Sequence, residues 1–168
     1  MEALAIEPLR DRDEAVVCAR MMAGSDPWLT LGRGFEECLR AIEDPSREVH
    51  VARSGDSVRG FIILNLHGAF VGYLQTICVA ADARGAGVGS TLMAFAEERV
   101  FAISPNLFLC VSSFNQRAKT LYERLGYQTI GELRNYLVPG QSEWLMRKTI
   151  GPLQGFRPAA HARDPSSS

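Results

Sequence analysis

Arg84-Gly85-Ala86-Gly87-Val88-Gly89 sets three glycines at alternate positions between an apolar run and a helix-like run. Glycine loses more conformational freedom on ordering than any other residue, so clustering it at the mouth of a helix implies close approach to the backbone. A strand that ends in such a turn aims several unpaired N–H groups, and the positive end of the helix dipole, at one point. That arrangement binds phosphate. Three phosphate sites compete for the stretch. A P-loop needs Gly-Lys-Ser/Thr at the helix start, and here Gly89 is followed by Ser90 with no lysine. A dinucleotide site needs GxGxxG and an acid about twenty residues on, which "NLFLCVSS" does not supply. The third pattern, Arg/Gln-x-x-Gly-x-Gly/Ala, is met at every position from Arg84 to Gly89. Further on, "NQRAKTLYERLGY" offers Asn115 and a phenol, Tyr122, on one helix-like segment.

The elements that position these residues follow from periodicity and turn chemistry. "LAIEPL" reads as a short strand and "RDRDEAVVCARMMA" as a helix with acids in its opening turn. "GSDPWLTLGRG" is a loop carrying Trp28, and "GFEECLRAIED" puts Phe35, Cys38, Leu39 and Ile42 on one helical face. "REVHVARS" and "VRGFIILNL" form strands around the turn residues Ser54, Gly55 and Asp56, and "VGYLQTICVA" is a third. The glycine stretch opens a helix with Val88, Leu92, Phe95 and Ala96 on one face. "NLFLCV" is a wholly apolar strand. The helix from Asn115 faces Ala118, Leu121 and Leu125 inward and stops at Gly126. "YQTIGEL" and "SEWLMRKTI" close the chain as an antiparallel pair. This gives an α+β domain with a central mixed, mostly antiparallel sheet of about seven strands, flanked by helices, over residues 1–150. Residues 151–168, rich in Pro, Gly, Ser and Ala without periodicity, read as a disordered tail.

Bulk properties bound the function. The 168 residues are 46% hydrophobic and 22% charged, enough for one good core. A net charge of -1 gives no general attraction to nucleic acid or to an anionic membrane, so neither is expected as a partner. The N-terminus has no basic start and no long apolar run, and no segment has the uncharged length of a membrane span. Cys18, Cys38, Cys78 and Cys110 are far apart with no CxxC. Four buried thiols in a reducing compartment are expected, with no metal and no disulfide framework, in a cytoplasmic protein.

The chain resembles the GNAT superfamily of acyl-CoA-dependent N-acetyltransferases over roughly Leu4 to Ile150. The likeness is most specific in "LQTICVAADARGAGVGSTLM" and nearly so in "FNQRAKTLYERLGY". With "LRNYL" downstream, the latter is most similar to the ribosomal-protein alanine acetyltransferase branch. The resemblance implies a transfer from acetyl-CoA, as co-substrate, to a primary amine by direct attack in a ternary complex. The acceptor would be a peptide N-terminus or a small molecule, and the protein a monomer or homodimer. By the same resemblance, the backbone of Ile77, Cys78 and Val79 pairs with the pantetheine arm. The amides of Gly85, Ala86, Gly87, Val88, Gly89 and Ser90 hold the pyrophosphate. Arg84 flanks that loop, adding charge or fixing the turn. Asn115 touches the pantetheine, caps its helix, or does both. Tyr122 serves as general acid to the leaving thiolate, with simple helix packing as its other reading. The amide of Val79 would steady the oxyanion.

One component is missing. Many relatives carry a glutamate where this chain has Gln75, and the alanine acetyltransferase branch carries one in the next strand, at Cys110. Neither residue is a carboxylate base. Cys110 sits in an apolar run without a basic neighbour and reads as a packed thiol. His50 and His67 have no visible partners. Glu132, Glu143 and Tyr136 near the closing hairpin stay open as bases. The alternative function is a non-catalytic acyl-CoA-binding module or sensor on the same fold.

Overall fold

The computed structural model describes residues 3–160. In chain order it has β1 (Leu4–Pro8), α1 (Arg12–Ala23), α2 (Phe35–Glu43), β2 (Glu48–Ser54), β3 (Ser57–Asn65), β4 (Tyr73–Val79), α3 (Val88–Phe101), β5 (Asn106–Ser112), α4 (Gln116–Arg124), β6 (Gln128–Arg134) and β7 (Ser142–Thr149). This is the order read from periodicity. Helix starts follow local capping chemistry. Asp11 Oδ1 accepts from the Glu14 amide at 2.9 Å, while Glu14 Oε2 accepts from the Arg10 amide at 2.8 Å. Asn115 Oδ1 accepts from the Ala118 amide at 3.2 Å.

The strands form one sheet in the order β1-β2-β3-β4-β5-β7-β6. All neighbours are antiparallel except β4 and β5, which are parallel and joined across α3. The closing hairpin does not simply extend the sheet, because β7 inserts between β5 and β6. Under α1 and α2 lie Val51, Phe61, Ile63 and Cys78. The opposite face, under α3 and α4, holds Ile62, Leu64, Leu107, Leu109 and Met146, with Leu92 of α3 packed in the same cluster. Burying apolar surface on both faces stabilises the central strands at roughly 25 cal/mol per Å².

Two irregularities shape the middle of the sheet. β4 and β5 are paired only at Tyr73↔Phe108 and Leu74↔Leu109, after which they part. On the other side of β4, Leu64 pairs with Leu74 and Ile63 with Thr76, so Gln75 is an extra residue, a β-bulge. A bulge bends its strand and raises its twist, which turns β4 away from β5 where the split begins. Strict alternation along "YLQTICV" cannot reveal this, since the bulge exists only relative to β3.

Residues 151–160 run through turns, and the Ala159 amide donates to the Ala102 carbonyl at 2.8 Å. The remainder of the expected tail, residues 161–168, lies outside the described residues. No helix among the described residues is long and apolar enough to cross a membrane.

Candidate active site

The glycine loop connects β4 to α3 through a short turn at Ala81–Ala83. Gly85 and Gly87 have φ of 77° and 83°, left-handed conformations that glycine adopts without strain. A Cβ built at either would meet no atom within 4 Å, so both backbones border open space. Gly87 is the N-cap of α3 and offers no side chain to the helix. The N–H groups of Val88, Gly89 and Ser90 have no intrahelical carbonyl to bond, and the helix dipole adds to their pull. No acid occupies that first turn. These features fit a phosphorylated ligand. Arg84 reaches away from the loop: Nε donates to the Val79 carbonyl at 3.4 Å and Nη2 to Ser25 Oγ at 3.2 Å. Its described contacts fix the turn and tie it to the α1–α2 loop.

The split beside β4 exposes strand edge. The Ala80 amide donates to the Arg59 carbonyl at 2.9 Å, one step beyond the Gly60↔Val79 pair. Bonded and non-bonded positions alternate in an antiparallel pair. Cys78 therefore turns its N–H and C=O toward β3, while Ile77 and Val79 turn theirs away, into the split. Of the three predicted residues, two present polar backbone there. The Cys78 thiol is buried behind them, and that burial pushes its pKa up to about 12.

Tyr122 is the buried residue of α4, at 7% exposure, while Ala118, Leu121 and Leu125 are only half-buried. Its ring meets Tyr127 edge-on at 5.9 Å, so packing is part of its role. Burial raises the phenol to about 12, which keeps the proton on oxygen at neutral pH. Asn115 caps α4, and both residues line the same open cleft of about 1520 Å³ as the glycine loop and the β4 edge. The cleft runs through the split, lined on one side by β4 and on the other by β5.

At the other end of the cleft, β5 and β7 bring together groups far apart in sequence. Ser112 pairs with Glu143, and Ser112 Oγ donates to Glu143 Oε1 at 2.6 Å. Glu143 is 4% exposed, and desolvation raises its pKa against the opposing Ser112 hydrogen bond and the Arg33 charge. Tyr73 and Cys110 also line the cleft, each within electrostatic reach of the other, and burial raises both above their ordinary values. Cys110 is only half-buried, yet a thiol held protonated is no nucleophile. Glu132 lies outside this group, on the surface, engaged by Ser142 at 2.8 Å and Arg134 at 3.2 Å. His50 is on the far side, with its ring 4.8 Å from Phe95 and Nε2 3.2 Å from Glu48 Oε2. Glu143 stood in the sequence as one of three candidates near the hairpin. The β5–β7 register that selects it is not written in local pattern. Among the described residues, no three His, Cys, Asp or Glu side chains are grouped to hold a metal ion.

Comparison with known proteins agrees with this geometry. The model of the Acetyltransferase (GNAT) family matches residues 14–127. N-alpha-acetyltransferase RimI of Mycobacterium tuberculosis is 29% identical over 137 residues, covering 79% of this chain and 82% of that protein. Among solved structures, an aminoglycoside 6'-N-acetyltransferase complexed with coenzyme A superposes with a TM-score of 0.72 at 19% identity, covering 88% of this chain and 98% of that one. The spermidine N-acetyltransferase of Vibrio cholerae in complex with CoA and spermine gives a TM-score of 0.68 at 19% identity, with coverages of 87% and 95%. At these identities the two structures speak for the fold.

Proposed function

The chain belongs to the GNAT family of acetyltransferases and is an acyltransferase, and on that premise we propose that it moves the acetyl group of acetyl-CoA onto a primary amine. The acceptor is a protein N-terminus or a small amine. The observation that carries this reading is the split between β4 and β5 with the Gly85–Ser90 amides at its foot. One end suits a pyrophosphate. The strand edge suits a pantetheine arm, with Ile77 and Val79 pairing along it and Cys78 backing it. Arg84 holds the loop in shape, and Asn115 lies beside the arm while capping α4. We place the transferase domain at residues 1–150, with 151–168 as a tail, in a cytoplasmic monomer or homodimer.

The chemistry follows from the groups present. A neutral amine attacks the thioester carbonyl, forming the C–N bond. The developing oxyanion is met by the Val79 amide, which points into the split. The C–S bond then breaks, and Tyr122, protonated at neutral pH, gives its proton to the leaving sulfur. The proton lost from nitrogen restores the phenol. No metal ion is required for these steps.

The experiment is calorimetry with acetyl-CoA and with CoA, beside thiol release against a panel of peptides and amines. Micromolar-scale affinity, a raised melting temperature and acceptor-dependent thiol release are expected. Binding without release for any acceptor would return the protein to a sensor. Absence of binding would remove the reading.

A further inference from the structure

We propose that Glu143, positioned by Ser112, receives the acceptor's ammonium group and takes the proton that must leave before attack. The proposal rests on the acetyl-transfer reading and supplies the base that Gln75 and Cys110 do not. Two carboxylates line the cleft among the described residues, Asp26 and Glu143. Asp26 is exposed and committed to Thr30, accepting from its amide at 3.1 Å and its hydroxyl at 2.5 Å. Glu143 is the buried one. It has one hydrogen bond, from Ser112 at the end of β5, where that strand has already left β4. A buried carboxylate so sparsely paired is costly unless a cation arrives. The acceptor's ammonium is such a cation.

The groups facing Glu143 come from several elements. Ser112 and Cys110 lie on β5, Tyr73 on β4 and Arg33 in the α1–α2 loop, while Tyr136, in the β6–β7 turn, lines the same cleft. Burial holds the Tyr73 phenol and the Cys110 thiol in their neutral forms near pH 7. Burial keeps Glu143 above the ordinary carboxylate range, closer to the working pH, where a base is most effective. One proton passes from R–NH3+ to the carboxylate and later to water. The neutral nitrogen then bonds to the acetyl carbon, the C–S electrons go to sulfur, and Tyr122 protonates it. Acetyl-CoA and the ammonium become amide, CoA thiol and one released proton.

The same lining selects the acceptor. Beside Glu143 it places the charge of Arg33, while the cleft's other carboxylate, Asp26, is committed to Thr30, which leaves no acid for a second cationic centre. Leu29, Phe70 and Tyr136 stand exposed at its rim and offer apolar contact. The acceptor class is therefore a single ammonium with an uncharged, apolar flank, such as a peptide N-terminus, rather than a polyamine.

The test is kcat/KM against pH for wild type, Glu143→Gln and Ser112→Ala, on an apolar N-terminal peptide and on spermidine, with CoA affinity measured for each protein. Wild type should show an acidic limb at the same pH for different acceptors and prefer the peptide. Glu143→Gln should lose at least ~10²-fold at neutral pH. It should also lose the limb, so that its rate climbs toward the acceptor's own pKa while CoA affinity holds. Ser112→Ala should keep the limb but shift it upward, because the hydrogen bond that favours the charged form is gone. A Glu143→Gln protein with the wild-type limb and rate overturns the role of Glu143 and leaves acetyl transfer standing. Preference for spermidine overturns the acceptor class. A wild type that binds neither acetyl-CoA nor CoA overturns acetyl transfer, and Glu143's role with it.

Discussion

Arg53 on β2 and Glu143 on β7 are buried to 2% and 4% exposure in the same sheet, and their surroundings differ in one respect. Arg53 is satisfied from every side. Nε donates to Glu14 Oε1 at 2.6 Å, Nη1 to Glu7 Oε2 at 3.0 Å, and Nη2 to the Pro8 carbonyl at 3.0 Å and Glu14 Oε2 at 2.6 Å. It binds β2 to β1 and to the start of α1. Burial opposes the charge of Glu14, yet the hydrogen bonds and charge of Arg53 win and hold that carboxyl below its ordinary range. Glu143 has a single partner and a cleft in front of it. Buried charges with complete partners serve architecture. A buried charge left incomplete beside open space is arranged for something that arrives.

The largest effect is expected where the complete network is broken. Arg53→Met leaves Glu14 buried without its cation, and removing one partner of a buried pair costs about 3–5 kcal/mol. At this chain length that lowers the melting temperature by roughly 10 °C. CoA affinity and turnover of the folded protein should stay unchanged, because Arg53 touches nothing in the cleft. Thermal unfolding beside single-temperature kinetics checks both halves. A protein that kept its stability would show the network to be ornamental.

Gly87→Glu comes next and acts on the other side of the comparison. It puts a negative charge among the α3 amides and should weaken CoA binding by ~10²-fold or more, since a phosphate site at a helix N-terminus depends on free N–H groups. A non-glycine residue at a φ of 83° also costs about 1–2 kcal/mol in strain. Gly89→Glu controls for that strain. Gly89 has an ordinary φ, and a Cβ there would find Val79 Cγ2 at 3.7 Å, an ordinary contact. Calorimetry showing wild-type affinity for both proteins would rule out phosphate binding at this loop.

Tyr122→Phe should lower turnover by ~10²-fold, the lower end for a general acid, because a thiolate leaves tolerably without help. CoA affinity and melting temperature should hold, since the buried ring is kept. Tyr122→Ala should destabilise the fold instead, by about 3 kcal/mol or more, as large core truncations do. Equal turnover for the phenylalanine variant would make Tyr122 a packing residue only.

The two kinds of buried charge differ also in how far they could be read in the sequence. Element order, helix starts at Asp11 and Asn115, and the glycine loop were legible because their determinants are local. The glycine turn that opens α3 lies within six consecutive residues, so its backbone geometry could be read from them directly. The rest depends on pairing between distant strands. Alternation in "SEWLMRKTI" says that it is a strand, but not that it lies between β5 and β6, and only that placement puts Glu143 against Ser112. The bulge at Gln75 needs the β3 register in the same way. On α4, spacing drew Ala118, Leu121 and Leu125 inward, and the tertiary fold buried Tyr122 deeper than any of them.

The smallest effect tests the comparison by its sign. Burial raises the Glu143 carboxyl in the folded protein, whereas the unfolded chain returns it to an ordinary value near 4.5. Between those two values the native state holds more protons than the unfolded state, so this residue makes stability fall as pH rises. Glu48 runs the other way. Its hydrogen bond with His50, then those with Arg99, lower its carboxyl to about 2, so its stabilisation is present above about 4.5 and is lost as pH falls toward 2. At 36% side-chain exposure that contribution is no more than about 1 kcal/mol. Glu48→Gln should therefore destabilise the protein at pH 7 and make no difference near pH 2. Glu143→Gln should match wild type in acid and be the more stable protein at pH 8, while it loses activity there. That opposition of stability and function marks a residue retained for chemistry. A pH series of thermal unfolding on the three proteins decides it. If Glu143→Gln is instead the less stable protein at pH 8, Glu143 belongs with Glu14 and Arg53 as part of the framework.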